Sequence, residues 1–118
     1  MPVELKSKDL EERTFKFAQR VRLFIKELPH SISNNEDVKQ LVRSSGSVAA
    51  NYIEANEALS KKDFTMKIKI CLKEAKESCL WLRLLNCSEL ETGKEREALM
   101  QEAKELMLIF SAIAAKCR

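Results

Sequence analysis

Glycine and proline are scarce in this chain of 118 residues, with two of each. That is too few for a sandwich or barrel, whose many short strands need frequent tight turns. The longest unbroken apolar run, Leu106–Phe110, is five residues, so no segment is expected to span a membrane. Histidine occurs once, as His30, and aromatic residues make up 6% of the chain. The four cysteines, Cys71, Cys79, Cys87 and Cys117, include no C-x-x-C pair and lie far from His30 in sequence. A zinc site would need two close ligand pairs, so packed, reduced thiols are the expected state. The stretch Met1–Thr14 has no apolar segment of the kind a signal peptide carries, and a cytoplasmic location is expected.

Catalytic signatures are missing as well. There is no glycine-rich phosphate loop, no H-E-x-x-H and no G-x-S-x-G, and the pair of Glu-x-x-His motifs on facing helices that di-iron bundles need does not occur in a chain with one histidine. The carboxylate pairs Glu54/Glu57 and Glu74/Glu77 sit at i and i+3, a spacing that surface ion pairing explains. The expectation is a protein that is not an enzyme and carries no cofactor or metal.

What remains is 45% hydrophobic and 33% charged, with apolar residues spaced four and three apart. That periodicity excludes disorder and predicts amphipathic helices. Four are expected, at about 8–28, 34–58, 61–87 and 93–116, in one domain spanning 1–118. Pairs with the spacing of a capping box open them: Asp9 with Glu12 (Ser7 could start this helix slightly earlier), Ser33 with Glu36, Ser60 with Asp63, and Thr92 with Glu95. Pro29 ends the first helix by keeping residue 28 out of the α region. The apolar seams read Leu10, Thr14, Phe17, Val21, Phe24, Leu28; then Val38, Leu41, Ser45, Val48, Tyr52, Ala55, Leu59. The later pair read Phe64, Ile68, Cys71, Ala75, Cys79, Leu82, Leu85; and Leu99, Ala103, Leu106, Phe110, Ile113, Cys117. Short joints make neighbouring helices antiparallel, so the expected fold is an all-α, up-down-up-down four-helix bundle.

Apolar residues are left over outside these seams: Phe15, Ile25, Met66, Ile70, Leu80, Trp81, Leu84, Leu108 and Ile109. A bundle of this size has trouble burying them all, which points to self-association. The second helix adds a sector of small and polar residues, Arg43, Ser47, Ala50, Asn51, Glu54 and Ala58, placed opposite its seam by the helical period. Gly46 and the serines beside it weaken a helix, so the sector is expected to look away from the core and to make a close contact. The third helix carries a basic stripe, Lys62, Lys69, Lys73, Lys76 and Arg83, continued by Leu80 and Leu84. Such a stripe fits a phosphate backbone, the acids of a neighbouring subunit (Glu54 among them), or plain water. No aromatic platform for single strands and no helix-turn-helix spacing accompanies it. The net charge, +3, is only mildly basic.

The run Arg43-Ser-Ser-Gly-Ser-Val-Ala-Ala-Asn51-Tyr-Ile-Glu54-Ala resembles the signature of the 23S rRNA intervening-sequence proteins. The resemblance continues through Lys62-Asp63-Phe64, Ile68, Leu72–Glu77 and Trp81-Leu82. Two departures stand out: Ala55-Asn56 where many members have glycine, and Lys73-Glu74 where many have small residues. The resemblance implies an up-down bundle that assembles as a ring, typically a homopentamer, with no established activity. The family name reflects a gene location inside rRNA genes. The chain is also similar to the accessory bundle proteins of diversity-generating retroelements, which bind nucleic acid through a basic ring surface. The positions that carry over as an assembly or contact face are Arg43, Ser47, Asn51, Glu54, Asp63, Phe64 and Glu77. A nucleic-acid accessory role, binding structured RNA or DNA through the basic stripe, is the leading expectation. A scaffold that binds another protein through the surplus apolar face is the alternative.

Overall fold

The computed structural model describes residues 3–117, with side chains from Lys8 onward. Four helices follow one another: α1 (Val3–Ile25), α2 (Ile32–Asn56), α3 (Lys61–Leu84) and α4 (Leu90–Lys116). Each packs on its neighbour in sequence, and α1 closes the square against α4; α2 and α3 form the most closely packed pair, α1 and α4 the loosest. This is the expected antiparallel four-helix bundle, 45 Å long and 26 by 19 Å across.

The seams form the core. Phe17, Val21, Leu41, Val48, Ile68, Cys71, Leu82, Leu99, Leu106 and Phe110 are all buried in one cluster, with Tyr52 against Phe110 at a centroid distance of 5.9 Å. Leu59 departs from the expectation. It is 99% exposed, because α2 ends at Asn56 and Leu59 falls in the connection to α3. Cys71 is fully buried, and loss of water pushes its thiol up to about 12, which keeps it protonated and unreactive. All four cysteines are free.

The helix starts differ from the sequence reading at three of four places. α1 already runs from Val3, so Asp9 and Glu12 lie inside it. Nothing in Val3–Lys8 stops a helix, since the segment holds neither glycine nor proline. α2 is capped by Ser31, not Ser33: the Ser31 hydroxyl accepts from the Asn34 amide at 3.0 Å. Of two serines in a row of three, the one with extended backbone takes the cap. α4 begins at Leu90 after Glu89, with no side-chain cap. Thr92 lies inside its first turn and donates back to the Glu89 carbonyl at 2.8 Å. Ser60 caps α3 as expected, accepting from the Asp63 amide at 3.0 Å.

Gly46 is not required by the chain's own backbone, since no glycine has positive φ. A Cβ there meets only the tip of the Arg22 guanidinium, at 3.2 Å. That tip ends a flexible side chain and can swing aside. Gly46→Ala is therefore expected to stabilise the protein by about 0.5–1 kcal/mol through helix propensity. Thermal unfolding checks this, and a lowered midpoint would contradict it.

Candidate nucleic-acid interface

α3 stays helical over 24 residues because its apolar positions keep the four-three spacing and Ser60 caps its start. The same periodicity sends Lys62, Lys69, Lys73, Lys76 and Arg83 to the outer side, and all five are exposed. At 1.5 Å per residue, the stripe is about 30 Å long. Among the described residues none of the five belongs to an ion pair; the paired cations are Arg13, Arg20, Lys39, Arg43 and Lys67.

The acids of α3 do not neutralise the stripe, because two of them are turned toward α2. Glu74 is buried and accepts from the Ser47 hydroxyl at 3.2 Å, with the Arg43 guanidinium 3.5 Å away. Its other oxygen, Oε1, is buried without a partner among the described residues. Glu77 faces Arg43 at 3.5 Å. Asp63 is exposed in the first turn, where the helix dipole favours an acid. Phe64 is half-buried and packs on the core.

The small polar sector of α2 corrects the sequence reading. Arg43, Ala50 and Glu54 are exposed as expected, but Ser47, Asn51 and Ala58 are half-buried, and Ser47 flanks the α2/α3 seam. Ser44 and Ser45 are both buried, which widens the core face and shifts Ser47 and Asn51 to its edge. Asn51 donates to the Ser47 carbonyl and hydroxyl, each at 2.9 Å. Ser44 and Ser78 share a hydrogen bond of 2.8 Å across the seam. Glu54 pairs with Lys67 of the same chain at 2.9 Å. Thus Arg43, Ser47 and Glu54 of α2 are joined within one chain to Glu77, Glu74 and Lys67 of α3, and small side chains let the two helices approach closely.

Two features escape a reading by spacing. Lys61 adds a cation beside the stripe: together with Lys62, Met66, Lys69 and Cys117 it lines a groove of about 610 Å³ between the start of α3 and the end of α4. The Lys61-Lys62 doublet was the available signal. The second is Asn34, buried at the end of the bundle, whose Nδ2 donates to the carbonyls of Pro29 and Asn86, both at 3.0 Å. Its Oδ1 accepts from the Asn86 amide at 2.9 Å.

Of the leftover apolar residues, Phe15, Met66, Leu80, Leu84 and Leu108 are exposed, while Ile25, Trp81 and Ile109 pack against the core. Among the described residues no helix is long and apolar enough to cross a membrane, and no group of side chains has the makings of a metal site.

Comparison with known proteins agrees with this architecture. A crystal structure of a protein of unknown function from the S23 ribosomal protein family of Bacteroides thetaiotaomicron VPI-5482 is 31% identical. The match covers 88% of this chain and 96% of that one, with a TM-score of 0.75. No curated protein matches. The sequence profile of the 23S rRNA-intervening sequence proteins spans residues 6–112, so the bundle, its α2 signature and its α3 stripe sit inside the matched region, and the chain belongs to that family.

Proposed function

We propose that this protein is a non-enzymatic, self-assembling cytoplasmic bundle that binds structured RNA or DNA through the outer side of α3. One observation carries the reading: five cations share one helix side without an ion pair among the described residues, while Glu74 and Glu77 are drawn off toward Arg43. A phosphate backbone is the partner that such a straight, unneutralised row fits best. Self-assembly is supported by the large apolar side chains left exposed on a small protein. A ring of five subunits follows from the family resemblance. Arg43, Ser47, Asn51, Glu54 and Glu77 serve in this reading as locks between α2 and α3 that hold the basic helix in place.

The double variant Lys69→Glu/Lys73→Glu removes two cations from the middle of the row. It is expected to weaken binding of a fluorescent RNA hairpin by about a hundredfold at low salt. Unchanged anisotropy titrations would contradict the proposal. A scaffold role is the second reading, favoured by the exposure of Leu108 and Phe15, which lie outside the basic row. A stoichiometric protein partner, with no salt-sensitive RNA binding, would support it instead.

A further inference from the structure

Two patches of opposite charge, each with exposed leucines, lie on different sides of the bundle at the same end. The first is the last part of α3: Leu80 and Leu84 are 43% and 55% exposed and flank Arg83, which has no ion pair among the described residues. The second is an open groove of about 420 Å³ between the end of α1 and the start of α4, where the helix pair is loosest. Leu23 and Phe24 give it an apolar floor, and Glu27, Glu89 and Glu91 rim it. A fourth rim acid, Glu95, is already paired with Arg20 at 3.1 Å; the other three have no ion pair among the described residues. The groove therefore keeps a net negative charge beside apolar surface.

The antiparallel topology sets both patches at one level. α1 ends, α2 starts, α3 ends and α4 starts at the same end of the bundle, where Asn34 ties Pro29 to Asn86. α3 packs on α2 and α4, whereas the groove belongs to the α1/α4 side, so the patches cannot meet within one chain. We infer that Leu80, Arg83 and Leu84 of one copy seat in the Leu23/Glu27/Glu91 groove of the next. The occupant is a second copy because the charges and the apolar side chains complement each other and both halves belong to the same chain. The contact is heterologous: each copy gives a different patch. Lys62 and Lys69 of the stripe lie toward the other end and Lys73 and Lys76 near the middle of α3, so all four stay open to a nucleic acid.

This inference rests on the self-assembly part of the proposed function, and light-scattering mass separates the two. Arg83→Glu/Leu84→Asp and Glu27→Lys/Glu91→Lys each alter only exposed side chains, and circular dichroism verifies that each variant is folded. Each is expected to weaken self-association by about thirtyfold or more. The chain carrying all four changes, with both charges reversed, is expected to recover an oligomer. Two folded variants that both keep the wild-type oligomer mass would overturn the docking and leave self-assembly standing. A monomeric wild-type protein would overturn both.

Discussion

Phe110→Ala is expected to lower the unfolding free energy by about 3–5 kcal/mol, the usual cost of emptying a buried phenylalanine site. Phe110 is 0% exposed on α4 and lies tilted by 52° against Tyr52 of α2. Truncation loses the transfer energy of the ring, its contact with Tyr52 and the dispersion contacts of the cavity lining. Leu99, Ala103 and Leu106 on the same helix are held by their own seams and cannot all move into the space. For a domain of this size, the midpoint of thermal unfolding should fall by roughly 10–20 °C. Urea titration gives the free energy directly, and a loss below about 1 kcal/mol would show that the site collapses around the cavity.

Asn34→Ala is expected to cost about 2–4 kcal/mol, unusually much for a polar residue in the first turn of a helix. The side chain is 1% exposed and makes three hydrogen bonds of 2.9–3.0 Å, to Pro29 and twice to Asn86. Alanine leaves the Asn86 amide and two carbonyls without these partners at a part-buried site, where losing a partner costs more than the bond itself yields. Asn34→Asp is expected to be no better. It keeps an acceptor for the Asn86 amide but sets a carboxylate against the Pro29 and Asn86 carbonyls. Urea midpoints of the two variants check this; a change below about 0.5 kcal/mol would mean that water replaces the clamp.

The core was legible because helical spacing is a local property. Leu10, Thr14, Phe17, Val21 and Phe24 all turn inward as their spacing requires, even the threonine, whose hydroxyl bonds back to Leu10 and Glu11; Leu28 is buried too, although α1 ends at Ile25. Leu59 shows the limit of periodicity: once the helix stops, the count continues but the geometry does not. The caps failed where several residues suit the role, as with Ser31 and Ser33, and backbone conformation decided between them. The basic row on α3 was readable because one helix carries all of it. Asn34 was not, because one of its partners, Asn86, is 52 residues away in sequence and is brought to it only by the fold. The α2 sector was legible only in part for a related reason: how wide a core face is depends on the neighbouring helix, and Glu74 of α3 holds Ser47 at the seam while Arg43, Ala50 and Glu54 stay exposed. The groove between α1 and α4 joins residues from opposite ends of the chain, and no spacing rule finds it.

The most direct test of a basic helix that holds a nucleic-acid backbone is the salt dependence of binding. Anisotropy titrations of a labelled, structured RNA across a range of salt concentrations yield the slope of log affinity against log salt. The four lysines Lys62, Lys69, Lys73 and Lys76 on phosphates predict a steep, linear fall, close to one unit of slope per neutralised phosphate on a duplex. Binding that is absent at low salt, or present with a slope near zero, would contradict the assignment of α3 as a nucleic-acid surface.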